Sequence, residues 1–574
     1  MDQQLQLVCI IALLLCGIIY EQRRAPALFI LGALACYALT LVSTDRFLGV
    51  LTNQGVITLA LLLTCSFALE RTELVTIVSR KLFSRKPKHI KISSLSLTAV
   101  LSSILSNTAV VAAFLSPIKR NTKVAPSKLL IPLSYISIAG GTLTLVGTST
   151  NLIINAQVIE VGMPSLGFFD FTLVGLAALA AVSLAMIVVN RLLPTEWPKG
   201  DEEEHYFVEA HVTPNSPLIG KSVEDGGLRA LEYFFLAEII RGGRLITPVR
   251  PYHHIREGDL LLFSGQVSQL DSLAIVEGIE IFAHREGYPT ANLVEVLIRP
   301  NSILVGKTLK LTKFRSRFDA AVVAIRRQGE TISGRLGDTT LRAGDFLTLA
   351  TGEDFRSRQN LLRNFFILSD VTTEKVIKGW RQFLTFGGFF TALGYSIVTS
   401  EPLIKPLIFY VTALLLSRTL STNDIKHRFP FDLIAIVLGA LVIAAAFSST
   451  GLSETIAAAA HTVLQHQALW VALLGVYLIT LLTTELITNN AAAAMMFPVA
   501  VGVAEGLGAS HMPFIMATAF AASGSFISPF GYQTNLMVFN AGQYKLKHFM
   551  YCGVPTSICY GTAVLITIPM VFPY

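Results

Sequence analysis

The hexapeptide Gly147-Thr148-Ser149-Thr150-Asn151-Leu152 recurs near the end of the chain as Gly531-Tyr532-Gln533-Thr534-Asn535-Leu536. A second pair of motifs precedes it, Ser106-Asn107-Thr108-Ala109 and Thr488-Asn489-Asn490-Ala491. The spacing also matches, because Asn107 precedes Asn151 by 44 residues and Asn489 precedes Asn535 by 46. All four motifs interrupt apolar stretches, where a polar turn is tolerated only if it lines a cavity or is buried in protein. The paired motifs therefore predict a repeated membrane fold with a polar site at its centre.

The composition agrees with a membrane protein. The 574 residues are 52% hydrophobic and only 14% charged, whereas an ordinary soluble domain carries about 25% charged residues. Mean hydropathy is +0.59. These values exclude a disordered, nucleic-acid-binding or disulfide-scaffold protein. The six cysteines lie in apolar stretches without metal-binding spacing, so they are interpreted as small buried hydrophobic residues.

Apolar runs long enough to cross a bilayer fall in two blocks. The first block contains residues 5–20, 26–43, 51–69, 92–117, 129–155 and 171–193. The second block contains residues 382–398, 403–417, 431–447, 468–498, 513–540 and 548–571. Because the sequence between the blocks is polar and charged, four domains are predicted. They are a membrane half at 1–198, two modules at 199–285 and 286–373, and a second membrane half at 374–574.

The placement of lysine and arginine sets the orientation. Two flanking segments, 71–91 and 119–128, are strongly basic and are predicted to be cytoplasmic, so the stretch 92–117 must enter and return on the same side. The basic residues are Arg71, Arg80, Lys81, Arg85, Lys86, Lys88, Lys91, Lys119, Arg120, Lys123 and Lys128. In the second half, 448–467 and 499–512 contain neither residue type, so 468–498 is predicted to be a hairpin that enters from outside. The predicted fold class is an α-helical polytopic membrane protein, an inverted-repeat transporter with about ten spans and two re-entrant hairpins. Residues 199–373 are predicted to be cytoplasmic.

Broken helices of this kind place half-helix N-termini toward an anionic substrate and unwound carbonyls toward a coupling cation. At these motifs the chain resembles the divalent anion–sodium symporter family. That family carries a Ser-Asn-Thr turn in each of two opposed hairpins and a Gly-Thr-x-x-Asn break in the next helix. The resemblance covers both membrane blocks. It implies two Na⁺ sites with the anionic substrate between the hairpin tips, no organic cofactor, and a homodimer that works by an elevator-type motion.

Site residues follow from this resemblance, position by position. The implied Na⁺ ligands are Ser102, Ser106, Asn107 and Gly147 in the first site, and Thr484, Thr488, Asn489 and Gly531 in the second. The implied substrate contacts are Asn107, Thr108, Thr148, Asn489, Asn490 and Tyr532. Thr150 and Thr534 stand just before the asparagine of each break, where dicarboxylate carriers have a proline pair. This departure resembles the sulfate-associated branch, so the favoured function is Na⁺-coupled uptake of a small divalent oxyanion, sulfate, across the plasma (inner) membrane.

Other functions stay open at this point. A dicarboxylate symporter has the same fold, and a Na⁺/H⁺ antiporter-type carrier would need buried acids that 140–155 and 523–540 do not contain. A regulated cation channel would need a filter loop resembling T-V-G-Y-G, which the sequence does not have. No nucleophile–base or metal-ligand constellation indicates an enzyme. Glu485 is the one acid inside either hairpin, and both a hydrogen bond within the hairpin and a proton relay are considered for it. Glu70 is interpreted as interfacial.

The polar middle is itself repetitive. Pro214-Asn215-Ser216-Pro217-Leu218-Ile219-Gly220-Lys221 matches Pro300-Asn301-Ser302-Ile303-Leu304-Val305-Gly306-Lys307 at an offset of 86 residues. Apolar runs such as 260–263 and 320–325, bounded by Gly-Asp turns, predict strands and hence two small α+β modules. They resemble the TrkA-C (RCK-C) regulatory modules of potassium uptake and channel proteins. This resemblance implies cytoplasmic regulation by a small ligand or ion, and a purely structural insert is the alternative.

Overall fold

The computed structural model describes most of the chain. The longer described stretches are 3–21, 24–72, 87–119, 124–191, 205–229, 234–242, 249–266, 276–281, 293–300, 302–327, 336–352, 360–367, 379–399, 401–464, 467–529, 531–542 and 544–574, with shorter ones between them. Some predicted features lie outside the described residues. They are the domain boundaries at 198/199, 285/286 and 373/374, and the basic residues Arg80, Lys81, Arg85, Lys86, Arg120 and Lys123.

The first apolar block is helical throughout its described residues. Its helices are α1 (Gln3–Tyr20), α2 (Ala25–Ala38), α3 (Thr44–Leu51), α4 (Gln54–Glu70), α5 (Pro87–Ser102), α6 (Asn107–Lys119), α7 (Leu130–Gly141), α8 (Ser149–Glu160) and α9 (Thr172–Val189). The predicted hairpin 92–117 is divided into α5 and α6 at its polar turn, and the predicted run 129–155 is divided into α7 and α8. Both interruptions coincide with the Asn-bearing motifs.

The polar middle forms two five-stranded sheets. The first contains β1 (His205–Val212), β2 (Phe234–Arg241), β3 (Arg244–Ile246), β4 (Leu260–Gln266) and β5 (Ile279–Ile281). The second contains β6 (Leu293–Ile298), β7 (Ala320–Arg327), β8 (Glu330–Thr331), β9 (Phe346–Thr351) and β10 (Phe365–Ile367). Short helices α10 (Leu309–Thr312), α11 (Phe314–Phe318) and α12 (Leu361–Asn364) accompany the second sheet. The strands predicted at 260–263 and 320–325 are confirmed as parts of β4 and β7.

The two sheets share one topology. Their strand orders, β3-β2-β4-β1-β5 and β10-β6-β9-β7-β8, become the same when the second is written in reverse. Arg241 Nε donates to Asp259 Oδ1 at 2.8 Å, and Arg327 Nε donates to Asp345 Oδ1 at 2.7 Å, 86 residues later. These hydrogen bonds raise the pKa of both guanidinium groups. We call the first sheet and its loops (205–281) the first β-unit, and the second with its helices (293–367) the second β-unit. Their assignment to the TrkA-C type stays a prediction.

The second apolar block repeats the helical architecture. Its helices are α13 (Trp380–Thr399), α14 (Ile404–Leu416), α15 (Thr422–Arg428), α16 (Phe431–Ser449), α17 (Leu452–Leu464), α18 (Leu469–Leu486), α19 (Asn489–Gly506), α20 (His511–Ser523), α21 (Gln533–Ala541) and α22 (Leu546–Val571). The predicted hairpin 468–498 is divided into α18 and α19, and the predicted run 513–540 into α20 and α21. Helix α17 lies in the segment 448–467, for which the sequence predicts an external position but no helix.

The two halves pack against each other through several pairs of helices. Helix α9 contacts α22, α2 contacts α16, and α8 contacts α19. A Cβ on Gly439 of α16 would lie 2.6 Å from the carbonyl oxygen of Phe29 on α2, so only glycine allows these two helices to come so close. Among the described residues, six helical segments are long and apolar enough to cross a membrane: Gln3–Tyr20, Thr44–Glu70, Thr172–Val189, Phe431–Ser449, Leu469–Leu486 and Leu546–Val571. The count of about ten spans stays a prediction, because several predicted spans consist of two shorter helices.

The second β-unit touches the membrane helices directly. Leu297, Phe346 and Phe366 belong to the same apolar core as those helices. Gly344 has a φ of +81°, and a Cβ added to it would collide with the side-chain amide of Asn540 on α21. Helix α21 begins in the second hexapeptide motif. The second β-unit therefore contacts a helix that begins at the polar centre of the fold.

Candidate anion and cation site

Both hairpins turn in the same way. Helix α5 ends at Ser102 and α6 begins at Asn107, while α18 ends at Leu486 and α19 begins at Asn489. Each second helix is capped by the hydroxyl just before it. Ser106 Oγ accepts from the backbone N–H of Ala109 at 3.4 Å, and Thr488 Oγ1 accepts from that of Ala491 at 3.4 Å. An asparagine thus occupies the first position of a capped helix in each hairpin, as the motifs predict.

The two hexapeptides form breaks with matched hydrogen bonds. Helices α8 and α21 begin at Ser149 and Gln533, after an extended Thr148 and an extended Tyr532. Before them, Gly147 N donates to the Thr144 hydroxyl and Gly531 N donates to the Ser528 hydroxyl, both at 3.1 Å. The asparagine side chains then fasten each loop. Asn151 Nδ2 donates to the Thr144 carbonyl at 2.9 Å, and Asn535 Nδ2 donates to the Ser528 carbonyl at 3.3 Å.

The helix N-termini of the hairpins and the breaks meet in one hydrogen-bonded network. Asn107 Nδ2 donates to the Tyr532 hydroxyl at 2.8 Å, and that hydroxyl lies 3.5 Å from Thr148 Oγ1. Next to Thr148, the Ser149 hydroxyl donates to Asn490 Oδ1 at 2.7 Å. Helices α6, α8, α19 and α21 therefore bring their positive ends to the same place, which favours an anion.

The remaining predicted substrate residues lie at the edge of this network. Thr108 Oγ1 is 3.5 Å from Gln533 Oε1, so the first hairpin contacts the second break twice. Asn489 begins α19 beside Asn490 and is only partly buried. The four motifs contain no lysine or arginine. An anion bound here would meet amide, hydroxyl and backbone N–H donors rather than a fixed positive side chain.

Threonine hydroxyls join the two halves beside the network. Thr150 Oγ1 lies 2.5 Å from the Ser523 hydroxyl at the end of α20. In the other direction, the Ser134 hydroxyl of α7 lies 2.8 Å from Thr534 Oγ1 and donates to Asn535 Oδ1 at 2.7 Å. The two threonines that replace the proline pairs thus make polar contacts across the interface between the halves. Proline could not make these contacts, because it has no hydroxyl.

Oxygen atoms surround the first break. A Cβ on Gly147 would collide with the Gly141 carbonyl oxygen and lie 2.8 Å from that of Ser102. Asn107 is 4% exposed, and its Oδ1 is without a hydrogen-bond partner among the described residues. That atom lies 2.5 Å from the position of a Cβ on Gly141. We call the oxygens of Ser102, Gly141 and Asn107, which lie beside Gly141 and Gly147, the first cradle.

The first cradle fits a small hard cation. Two backbone carbonyls and one unpartnered amide oxygen are neutral donors of the kind that hold Na⁺ in broken helices. Of the predicted ligands, Ser102, Asn107 and Gly147 come together here. The Ser106 hydroxyl instead donates to Glu70 Oε1 at 2.6 Å, and the Ser102 hydroxyl donates to that of Ser137 at 3.0 Å. Ser102 therefore offers the cradle its carbonyl rather than its side chain.

The second break has a carboxyl side chain beside its glycine, where the first has backbone carbonyls. A Cβ on Gly531 would collide with the Ser525 hydroxyl and lie 3.3 Å from Glu485 Oε2. The Glu485 carboxylate accepts from the backbone N–H of Ile527 at 3.1 Å and of Ser528 at 3.2 Å. Thr484 Oγ1 donates to the Ala522 carbonyl at 2.8 Å. We call the oxygens of Ser525 and Glu485 around Gly531 the second cradle.

Comparison with known proteins gives the family. The family model described as "Citrate transporter" (CitMHS) matches residues 15–520. This chain belongs to that family. The uncharacterized transporter sll0640 of Synechocystis sp. is 30% identical over 573 residues, with 95% of this chain and 93% of the relative covered. The uncharacterized transporter YfbS of Escherichia coli is 26% identical, with 96% of each chain covered. Sodium/sulfate cotransporter 2 of Chlamydomonas reinhardtii is 26% identical over 374 residues, 63% of this chain and 42% of the relative.

Membership of the citrate transporter family makes the chain a multi-pass membrane transporter, as the composition and the motifs indicated. It also places the site network inside a transport protein. The helix-capping asparagines and the breaks are then the natural candidates for the residues that bind what the protein carries. Their individual roles are taken up below as a proposal.

Sequence reasoning missed several groups in the candidate site. Gly141 contributes a carbonyl that no motif marks, and no motif singles out Ser134 or Ser523. The interfacial position of Glu70 stays a prediction, and no motif indicates that its half-buried carboxyl group accepts from the Ser106 hydroxyl at the first hairpin tip. Glu485 bonds to the break at Ile527 and Ser528, and not within its own hairpin. The signal for Glu485 is present in the sequence, since it is the one acid inside either hairpin. In the structure it lies near the end of α18, across the turn from Asn489 at the start of α19.

Proposed function

We propose that this transporter imports a small divalent oxyanion, sulfate, and that the inward Na⁺ gradient drives the uptake. The observation that carries the proposal is the meeting of four helix N-termini in a network of neutral donors. A tetrahedral oxyanion presents acceptors in several directions, and neutral amide, hydroxyl and backbone N–H groups can donate to them. The sodium/sulfate cotransporter among the relatives supports the same substrate and the same coupling ion.

In this proposal Asn107, Thr108, Thr148, Asn489, Asn490 and Tyr532 bind the anion. The Tyr532 hydroxyl accepts from Asn107 and keeps its own proton to donate toward the substrate. Because no lysine or arginine lies in the motifs, the charge of the anion is offset by the helix dipoles and by bound Na⁺. Binding of the cation and binding of the anion therefore support each other.

Two Na⁺ ions are proposed, each bound by one cradle together with the neighbouring hairpin tip. The first involves Ser102, Ser106, Asn107 and Gly147, with the Gly141 carbonyl as a further ligand. The second involves Thr484, Thr488, Asn489 and Gly531, with Glu485 beside it. Asn107 links the two kinds of binding, because its Oδ1 belongs to the first cradle and its Nδ2 contacts Tyr532. A cation at the cradle would fix the amide in the orientation that serves the anion.

The proposal includes the wider organisation of the protein. The transporter works as a homodimer in the plasma membrane, by an elevator-type motion, with residues 199–373 in the cytoplasm as regulatory modules. The contact between the second β-unit and α21 supports this regulatory arrangement, because a shift of the unit would displace the helix that follows the second break.

Uptake of radiolabelled sulfate into proteoliposomes tests the proposal. An inward Na⁺ gradient is compared with an equal K⁺ gradient, and unlabelled succinate and citrate are added as competitors. We expect Na⁺-dependent sulfate uptake that neither carboxylate blocks. Competition by succinate or citrate would move the substrate to carboxylates while keeping the site. Equal uptake in K⁺ would remove Na⁺ coupling from the proposal.

A further inference from the structure

A cavity of about 590 Å³ lies between the two β-units, away from the membrane site. The first β-unit contributes Glu209 and His211 of β1 and Leu260 of β4. The second contributes residues of α10, α11 and β7, together with Leu336 and Gly337. Its volume lies in the range of pockets that hold small organic molecules and is far larger than an inorganic ion needs.

The inner wall of the cavity is apolar. Leu260, Phe314, Val322 and Leu336 line it, and each is less than 5% exposed. Glu209 is also buried, and its Oε1 accepts from the backbone N–H of Leu336 in the other unit. This hydrogen bond holds the two units together at the cavity. A ligand here would need an apolar or aromatic body to fill the space against these side chains.

The outer part of the cavity is basic. Lys310, Lys313 and Arg315 line it from one short segment of the second β-unit. Lys310 Nζ lies 2.6 Å from Asp338 Oδ1, and both side chains are more than half exposed, so this pair is mostly solvated. The three basic side chains favour a ligand with negative charge at one end.

The repeat supplies an independent observation. Lys313 has a φ of +49°, and Gly227, which stands 86 residues earlier in the first β-unit, has a φ of +69°. Both β-units therefore have a left-handed backbone conformation at this position. Glycine adopts that conformation readily, whereas it costs a residue with a Cβ about 1–2 kcal/mol. Lys310 likewise stands where the first β-unit has Glu224. The second β-unit thus has a lysine at the cavity in spite of the backbone strain, and strain of this kind is concentrated at functional sites.

We propose that this cavity binds a small organic anion that has an aromatic or apolar body and a multiply charged group. The body packs against Leu260 and Phe314, and the charged group lies at Lys313 and Arg315. Because residues of both β-units line the cavity, the ligand stabilises their arrangement. The second β-unit also contacts α21, so ligand binding in the cavity would be transmitted to the helix that follows the second break. The inference rests on the cavity and does not depend on which anion is transported.

Binding of ATP to the detergent-purified full-length protein is the test, because ATP carries both required parts. Adenosine has only the body, and tripolyphosphate has only the charge. We expect saturable ATP binding below about 1 mM, and binding at least about tenfold weaker for each partial probe. The variant Lys313→Gly should weaken ATP binding by about tenfold and should not lower the melting temperature, because it installs the residue that the first copy has at this position.

The matched control is Lys307→Ala, which removes a positive charge from the same β-unit but not from the cavity wall. It should leave ATP binding unchanged. Three results would overturn the proposal: no saturable binding of ATP at about 1 mM, equal binding of ATP and either partial probe, or unchanged ATP affinity in Lys313→Gly. Sulfate uptake is not part of this test, so its failure and that of the proposed transport function are told apart.

Discussion

The first and second membrane breaks have matching backbone hydrogen bonds and differ in the groups that join them to their hairpins. In each, a glycine N–H donates to a hydroxyl three residues earlier, and an asparagine donates to the carbonyl of that same residue. The first break contacts the backbone of its hairpin, since Thr144 Oγ1 donates to the Ser103 carbonyl. The second is held by Glu485, which matches Ser103 in the aligned motifs. The common hydrogen bonds build the site, and the carboxylate distinguishes its two sides.

The two β-units likewise combine a common fold with a few residues that differ. Their strand order and their Arg–Asp pairs match, but only the second unit has Lys313 at the cavity and Gly344 against α21. In both pairs, shared residues maintain the fold, and the residues that differ point to function. Each prediction below changes a residue on one side and compares it with its counterpart or with a matched variant.

The largest effect is expected from the asparagines that begin α6 and α19. Asn107→Ala removes both a cradle oxygen and the donor to Tyr532, and Asn489→Ala removes the corresponding side chain of the second hairpin. Each should lower Na⁺-driven sulfate uptake in proteoliposomes at least about 100-fold, because two or more hydrogen bonds to charged species are lost.

The matched variant is Tyr532→Phe, which removes only the hydroxyl. It should raise the KM for sulfate by about tenfold and, at saturating sulfate, leave the Na⁺ concentration for half-maximal uptake unchanged. Near-normal uptake by both asparagine variants, at normal amounts of folded protein, would contradict the site assignment.

Glu485→Gln tests whether the charge of the second cradle matters. Glutamine keeps one acceptor oxygen and turns an N–H donor toward a backbone N–H, so the break at 527–528 loses a partner. We expect the Na⁺ concentration for half-maximal uptake to rise about tenfold. Ser103→Ala changes the matching position of the first half, where the contact is made by the backbone carbonyl, and should have no effect. An unchanged Na⁺ dependence in Glu485→Gln would leave this carboxylate without a part in cation binding.

Much of this arrangement can be predicted from the sequence. The helix starts at Asn107 and Asn489 and the two breaks coincide with the repeated motifs, because a polar turn inside an apolar stretch must line a cavity or be buried in protein. Spacing along the chain does not reveal which backbone carbonyls converge, so Gly141 was missed. Nor does it show that Glu70 at the end of α4 reaches Ser106. Helix α17 was missed because the lack of lysine and arginine in its segment was used only to orient the neighbouring hairpin.

Gly344→Ala is expected to have an intermediate effect, and Gly258→Ala is its control. Both glycines have positive φ, +81° and +76°, so both variants introduce a left-handed strain of about 1–2 kcal/mol. A Cβ at Gly258 meets open space, whereas one at Gly344 collides with Asn540 of α21. We expect both to lower thermal stability, and Gly344→Ala alone to reduce sulfate uptake several-fold. Equal uptake by the two variants would show that the contact with α21 does not influence transport.

The smallest effect is expected at the threonines that join the halves, and it should be unequal. Thr150→Val removes the hydroxyl beside Ser523, and Thr534→Val removes the one beside Ser134. Ser134 still donates to Asn535 Oδ1 in the second variant, so less of its hydrogen bonding is lost. Thr150→Val should therefore destabilise the protein by about 1 kcal/mol and Thr534→Val by less, as measured by thermal unfolding in detergent. If Thr534→Val were the more damaging of the two, the interface between the halves would depend on the second break rather than on the first.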